Sequence, residues 1–198
     1  MIKLIIFLIT ITCSNTIPFQ SQAQTSIREY EHICKIDANV DIEIRKYKKS
    51  MFASYYSKEE KSQNNYFRIL AGYIFGDNEK KEKIDMTSPV QIKLNDNKDM
   101  LFRMPAKYNS NNIPKPNNKA IKIIEKKERK VAVIKFSGYA REKNIKKNKK
   151  ILIEKLKENK IIYDDKFELW VYDDPFKIKN RRNEIVVNIY NDMSPANE

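Results

Sequence analysis

The side chains that most often do chemistry in proteins are scarce in this sequence, and two of them stand close together. His32 is the only histidine and lies two residues before Cys34, so on a strand both side chains would share one face. A serine or cysteine nucleophile would depend on this one histidine as its base. Two ligands are also too few for zinc, which takes four protein ligands, or three and a water. We therefore predict neither a catalytic residue nor a metal site.

Paired aspartates and glycines do not indicate an enzyme either. The pairs at 164–165 and 173–174 flank a predicted strand, where aspartates usually form turns rather than an acid–base pair. The chain has only three glycines, too few for a glycine-rich loop around a phosphate. An ordinary enzymatic mechanism is therefore not predicted.

A predicted helix carries the side chains best suited to hold a flat ligand. It offers the rings of Tyr66 and Phe67, the small residues Ala71 and Gly72, and the cation of Arg68. The small residues would let a ligand approach the backbone, and the arginine could pair with a carboxylate. The alternative is that the apolar side chains belong to the core and the arginine only faces solvent.

A loop near the C-terminus offers a second group of candidate contacts. Within residues 174–184 it carries Phe176 and the cations Lys177 and Arg181. Taken alone, this segment is a basic loop that leads into a strand. It becomes a candidate site only if the fold brings it near the helix.

The elements that would position these groups follow one order twice, strand–strand–helix–strand–strand, at a period of roughly 80 residues. The predicted strands are 40–47, 51–56, 85–94, 100–106, 120–124, 131–136, 167–172 and 184–190, and the helices are about 57–75 and 141–159. Ser57 and Glu60 have the spacing of a capping box at the first helix start. Two such halves could form one curved or barrel-like sheet with two packed helices, an α+β fold. A groove where helix meets sheet is then the natural ligand site.

The charge balance suggests an anionic partner. The chain has 198 residues, enough for one domain, and a formal net charge of +13. Nucleic acid, acidic lipid and an acidic small molecule all fit such a balance. The densest basic run, 141–150, lacks interleaved aromatic residues for stacking on bases and is typical of a solvated helix face. We therefore predict no nucleic-acid partner, while peripheral contact with an anionic cell envelope stays open.

The N-terminus has the features of a secretory signal peptide over residues 1–23. Lys3 precedes an apolar run, and small residues at 21 and 23 precede a cut at Gln24. The run is shorter than the ~20 residues that a membrane span needs. Cleavage would lower the net charge from +13 to +12 and leave Cys34 as the only thiol, so no internal disulfide is expected. We predict an exported protein, periplasmic or secreted; lipid attachment at Cys13 and a buried N-terminal strand are the alternatives.

Seven short segments occur in the order found in the SOUL haem-binding proteins, and together they resemble that family. They are 42–47, 67–78, 83–90, 102–105, 136–140, 172–175 and 181–184. The Met-Thr-x-Pro-Val piece that begins at Met86 and the Arg-Arg-Asn-Glu piece that begins at Arg181 are specific in combination. The resemblance covers about residues 38–190, which leaves 24–37 as a linker and 191–198 as a tail.

The resemblance implies a fold of two ββαββ-like repeats, a distorted eight-stranded β-barrel with two packed helices. It also implies non-catalytic binding of haem or another tetrapyrrole in an apolar groove beside the first helix. The macrocycle would lie against Phe67 and Ala71, and its propionates would meet Arg68 and either Lys177 or Arg181.

The chain departs from the family at one position that matters for iron. Some family members have a histidine, proposed as axial ligand, just before the tyrosine that is Tyr47 here. This chain has Lys46, and a protonated lysine is a poor ligand because its lone pair is occupied. The axial ligand of a bound haem is therefore not identified.

Two other functions are compatible with the sequence. The lost histidine favours a module for another apolar or amphipathic ligand, or for a partner protein, with haem incidental. The spread of lysines favours attachment to anionic lipid or envelope polymer, which would weaken steeply with salt. The oligomeric state is open.

Overall fold

The computed structural model describes residues 30–37, 39–59, 62–95, 98–174 and 176–190. The predicted signal peptide, the Gln24 cut site and the tail at 191–198 lie outside these residues.

Nine strands and two helices make up the described part of the chain. The strands are β1 (Tyr30–Asp37), β2 (Ile42–Tyr47), β3 (Ser50–Tyr55), β4 (Val90–Lys93), β5 (Met100–Arg103), β6 (Lys122–Lys126), β7 (Arg129–Phe136), β8 (Glu168–Val171) and β9 (Asn183–Asn188). The helices are α1 (Gln63–Ile74), between β3 and β4, and α2 (Glu142–Glu158), between β7 and β8.

All nine strands join one antiparallel sheet in the order β1-β2-β7-β9-β8-β4-β5-β3-β6. From β2 onward, the chain runs strand–strand–helix–strand–strand twice, and the sheet order is symmetric about the β4–β8 pair when the two halves are exchanged. The predicted α+β class is confirmed. The eight-stranded barrel is matched only loosely, because β1 adds a ninth strand and the edge strands β1 and β6 do not pair with each other in the described residues.

The extra strand lies in the segment predicted to be a linker. Tyr30–Asp37 pairs with β2, but the register shifts twice, between His32 and Cys34 and again between Lys35 and Asp37. Such bulges interrupt the two-residue alternation by which a strand is recognised in sequence. This is why the sequence did not predict β1.

The two faces of the sheet have different chemistry. On β2, Ile42 and Ile44 join the apolar core under α2, whereas Glu43 and Arg45 face the other way, and all four are at most 4% exposed. The sheet curves around that charged face, as shown by side chains of β2 and β8 that meet there although β7 and β9 lie between these strands. The rings of Tyr47 on β2 and Trp170 on β8 lie edge to face at 5.1 Å. We call this side the concave face.

Helix α1 begins later than predicted, at Gln63 rather than near Ser57. The hydroxyl of Tyr66 donates to the Ser57 carbonyl oxygen (2.8 Å) and accepts from the Ser57 N–H (3.2 Å), so both main-chain groups of Ser57 bond to a side chain of the helix instead of taking part in it. The inner face of α1 is apolar, and Leu70 and Tyr73 on it are fully buried. In the described part of the chain, neither helix combines the length and the apolar character needed to cross a membrane.

Candidate functional site

The outer face of α1 is partly apolar and open. The Phe67 ring is half-buried and packs edge-on against Phe102 of β5 at 5.1 Å. Phe75, just after the helix, is 63% exposed, and a Cβ atom added at Gly72 would meet nothing within 4 Å. Arg68 is exposed and donates to the side-chain oxygen of Asn65. This face therefore offers a ring, an open stretch of backbone and a cation to a ligand.

Two of the predicted contacts on α1 belong to the core. Tyr66 is 2% exposed, and its ring lies edge to face with Tyr55 at 5.0 Å. Ala71 is 8% exposed and packs in the same apolar cluster. The cleft at the start of α1, of about 470 Å³, is polar and lined by Ser62, Asn64, Asn65 and Arg68. The part of α1 that offers an apolar contact to a ligand is therefore the Phe67 side chain, which does not line this polar cleft.

The second predicted group lies on the loop between β8 and β9, residues 172–182. Phe176 is 89% exposed and Ile178 is 75% exposed, so this loop presents two large apolar side chains to solvent. Lys177 forms an ion pair with Asp173. Arg181 is 7% exposed, and its Nη1 donates to two main-chain carbonyl oxygens of the loop at 2.7 and 2.8 Å. Arg181 thus stabilises the loop, while Phe176 and Lys177 are accessible.

A row of apolar side chains leads from α1 to the base of this loop. Phe67 contacts Phe102 on β5, and β5 pairs with β4, whose first residue, Val90, packs against the same apolar cluster. Val90 in turn pairs with Val171, the last residue of β8. Phe67, Val90 and Val171 are all half-buried, and they pack on the side of the sheet that carries the helices. We call this row, with the outer face of α1 and the β8–β9 loop, the α1–loop groove.

The motif residues near both chain ends meet on the concave face. Arg45 Nη1 and Nη2 donate to the two oxygens of Glu184 at 2.8 and 2.9 Å, and both side chains are fully buried. The hydroxyl of Tyr172 donates to Glu184 at 2.7 Å, and Arg182 donates to the same carboxylate. Glu43 is a second carboxylate on Arg45. These residues therefore form a buried charge network rather than an exposed surface.

Opposing effects set the pKa values in this network. Burial alone would raise the pKa of the Glu184 carboxyl, but hydrogen bonds and charges from Arg45 and Arg182 outweigh burial and lower it. Burial alone would lower the pKa of the Arg45 guanidinium, yet the bonds to Glu184 raise it above the ordinary value. Both groups are therefore charged at neutral pH, and each depends on the other.

The remaining motif residues also bind one another. Asn183 Nδ2 donates to the Gly138 carbonyl oxygen at 2.7 Å, and the hydroxyl of Ser88 donates to the Tyr172 carbonyl oxygen at 3.2 Å. Thr87 Oγ1 donates to a carbonyl oxygen of β5 at 2.7 Å. The segments that carry the family resemblance are thus largely those that hold the two halves of the sheet together.

The side chains of β1 and β2 that could act as nucleophiles, bases or metal ligands make structural contacts instead. His32 and Cys34 were predicted to share a face of a strand, and this prediction is wrong because a bulge separates them. His32 Nε2 lies 3.3 Å from Glu43 on the concave face, whereas Cys34 packs on the helix side. Burial raises the pKa of the Cys34 thiol. Lys46 forms an ion pair with Glu128, with 2.8 Å between its Nζ and the carboxylate. Among the described residues, no group of three or more His, Cys, Asp or Glu side chains could hold a metal ion.

Sequence reasoning missed the second charged cluster, at the start of β8. Glu168 accepts from Lys126 at 2.7 Å, from Arg129 at 3.0 Å and from the Trp170 indole at 2.8 Å. Lys126, Arg129 and the indole donor are 42, 39 and 2 residues away along the chain, in that order. The only sequence signal was a charged residue in each strand at a position that faces away from the apolar stripe.

Comparisons with known proteins agree with this architecture. The model of the family described as SOUL heme-binding protein matches residues 27–188. Heme-binding protein 1 of Xenopus laevis is 30% identical over 135 residues, 64% of this chain and 70% of that protein.

Solved structures show similarity of fold. The C-terminal domain of EcmrR has a TM-score of 0.56 at 9% identity, covering 81% of this chain and 98% of that domain. An uncharacterized conserved protein from Listeria innocua has a TM-score of 0.58 at 7% identity, covering 76% and 93%. At these identities, the likeness indicates a shared fold alone. Because the family model spans most of the chain, this protein belongs to the SOUL haem-binding protein family.

Proposed function

We propose that this protein binds haem or a closely related tetrapyrrole in the α1–loop groove and does not act as an enzyme. The face of the macrocycle lies along Phe67, Val90 and Val171, and Phe176 covers it from the loop. Arg68 at one end and Lys177 at the other bind the propionates as charged hydrogen-bond donors. Membership of the family supports haem as the ligand.

The observation that carries this proposal is the half-buried apolar row between two accessible cations. Two strand spacings, about 10 Å, separate β8 from β5, on which α1 packs. A porphyrin can bridge such a span. Phe176 and Ile178, which are 89% and 75% exposed, add apolar surface on the loop at the end of this row. A flat apolar ligand with acidic ends would cover the row and meet both cations.

The residues present fit the macrocycle better than they fit the iron. His32 faces the concave side through its contact with Glu43, away from the groove, and Lys46 has a carboxylate partner. Binding therefore rests on apolar contact and on the propionates, with no axial ligand assigned. This favours a carrier or scavenger of tetrapyrroles over a protein that performs chemistry at a haem iron.

Titration with haemin, followed by the Soret band, tests the proposal. We expect saturable binding by the wild type. The affinity should fall about fivefold to tenfold in Phe176→Ala, which removes one aromatic contact, and a few-fold in Arg68→Ala. Both residues are exposed, so neither substitution should affect folding. Lys143→Ala, which removes an exposed cation on α2, is the matched control and should bind as the wild type does.

Absence of saturable binding at micromolar haemin would reject the proposal. Equal losses in Arg68→Ala and Lys143→Ala would indicate general charge attraction instead of a groove. Native mass spectrometry of protein from its own host distinguishes the rival function, because a co-purified ligand that is not a porphyrin would favour it.

We also propose that binding takes place outside the cytoplasm, after removal of residues 1–23. The support is the charged start, short apolar run and small residues before Gln24. N-terminal sequencing of the exported protein should begin near Gln24. A mature chain that begins with lipid-modified Cys13 would contradict this cut site.

A further inference from the structure

A second cleft lies at the end of β8 opposite to the β8–β9 loop. It has a volume of about 660 Å³ and is bounded by the turn between β6 and β7, the ends of β4 and β9, and the start of β8. Glu168 begins β8 and lies in this cleft, whereas Val171 ends β8 and lies in the α1–loop groove. The two sites are therefore about 10 Å apart along the strand.

The wall of this cleft is strongly basic. Among the described residues, six cationic side chains and two carboxylates, Glu128 and Glu168, line it, a formal excess of four positive charges. The six cations are Lys93, Lys126, Lys127, Arg129, Lys130 and Lys166. Of the two carboxylates, Glu128 also lies 2.8 Å from Lys46, which is not part of the wall. Lys93 pairs with Asp99, 2.6 Å away and also outside the wall, so the charge balance of the cleft is decided by the largely buried cations Lys126 and Arg129.

The deepest carboxylate is already saturated. One oxygen of Glu168 accepts from Lys126 (2.7 Å) and from Arg129 (3.2 Å), and the other accepts from Arg129 (3.0 Å) and the Trp170 indole (2.8 Å). Two largely buried cations thus share one anion. The other acceptors in contact with them, Gln91 for Lys126 and Asn188 for Arg129, are neutral amides.

Lys126 is buried beside a second cation, Arg129, with which it shares the carboxylate of Glu168. Burial lowers the pKa of its ammonium group to about 8, and the positive charges of Arg129 and Lys93 act in the same direction, against the opposing effect of Glu168. A further anion in the cleft would stabilise the charged form of Lys126. Lysines suit an anionic ligand such as phosphate because they act as compact point charges with several donors.

We propose that this cleft binds a small anion that carries two or more negative charges, such as a phosphate ester or a polycarboxylate. Its volume lies in the range of sites for small molecules. The side chains of Lys126 and Arg129 are only 15% and 17% exposed, so a compact group can reach them but a flat anionic surface cannot. The site is independent of the tetrapyrrole proposal.

Isothermal titration calorimetry of the full chain at fixed ionic strength tests this site, with inorganic pyrophosphate and citrate as probes. We expect saturable one-to-one binding of at least one probe. The double variant Lys127→Ala/Lys166→Ala should bind about tenfold more weakly, because it removes two exposed cations of the wall. The double variant Lys143→Ala/Lys147→Ala makes the same charge change on α2, outside the cleft, and should change the affinity less than about twofold.

Several results would overturn the proposal. One is the absence of saturable binding of both probes, including the case in which phosphatidylglycerol vesicles still capture the protein. Another is an equal loss in the two double variants, which would mean general charge attraction. A third is one-for-one displacement of pyrophosphate by haemin, which would make this cleft the tetrapyrrole site. Haemin binding that fails while pyrophosphate binding persists would reject only the proposed function.

Discussion

Replacing Glu184 with glutamine should destabilise the fold without weakening ligand binding. The substitution keeps the shape of the side chain but leaves Arg45, which is fully buried, without one of its two carboxylates. Breaking a buried ion pair by removing one partner typically costs about 3–5 kcal/mol. Because Glu43 and the Tyr47 hydroxyl still contact Arg45, we take the lower end, about 3 kcal/mol.

Thermal unfolding followed by circular dichroism measures this cost. For a chain of this size, each kcal/mol shifts Tm by about 2–4 °C, so a fall of about 6–12 °C is expected. Lys146→Ala is the control, because its ion pair with Glu142 lies between side chains that are 75% and 79% exposed. Such surface pairs contribute at most about 1 kcal/mol, so Tm should change little.

A double-mutant cycle and haemin binding separate the network from the ligand site. Adding Arg45→Met to Glu184→Gln should cost less than the sum of the two single changes, with a coupling of about 1–3 kcal/mol. Haemin affinity of the folded variant should stay within about twofold of wild type, because Glu184 faces away from the helices. A Tm as high as that of Lys146→Ala, or a tenfold loss of haemin affinity at unchanged Tm, would refute this reasoning.

Three further predictions concern other parts of the fold. Burial alone would raise the pKa of Glu168, but pairing with Lys126 and Arg129 outweighs it and lowers the pKa to about 2. The contribution of this carboxylate to folding stability is therefore fully present above pH 4.5 and is lost as the pH falls toward 2. Urea unfolding between pH 5 and 2.5 should show a loss on the order of 3 kcal/mol that Glu168→Gln lacks. Leu70→Ala, at a fully buried position, should cost about 2–5 kcal/mol, whereas Phe75→Ala, at a 63% exposed one, should cost about 0.5 kcal/mol or less; equal values in urea unfolding would contradict the assigned faces of α1. Asn78→Ala removes four hydrogen bonds to the turn after α1 and should cost about 2–3 kcal/mol, and no loss would mean that water replaces them.

Sequence patterns predicted the helices and most strands because these depend on local periodicity. The stripe that includes Leu70 and Tyr73 repeats at helical spacing, and the alternation in β2 identifies a strand with two different faces. The same rule failed for β1, where bulges interrupt the alternation. It also extended β4 too far, since the pairing of this strand begins only at Val90.

The structure divides the predicted site residues into two groups. Phe67, Arg68, Phe176 and Lys177 lie at accessible or half-buried positions, whereas Tyr66, Ala71 and Arg181 are used within the protein. Helical spacing could not separate these groups, because neighbouring positions on α1 differ in exposure only through the strands packed beneath them. Likewise, a basic loop residue cannot be recognised as structural before its carbonyl partners are known.

The amino-acid sequence by itself determined the α+β class, the order of the elements from β2 onward and the family, because local periodicity and short motifs carry that information. Only the tertiary structure decided which charges are paired. Arg45 and Glu184 are 139 residues apart, and strands β2, β7 and β9 must pair before their side chains can meet. The α1–loop groove and the basic cleft around Glu168 depend on the same long-range pairing, since each is formed by segments that are remote in the chain and adjacent only in the folded sheet.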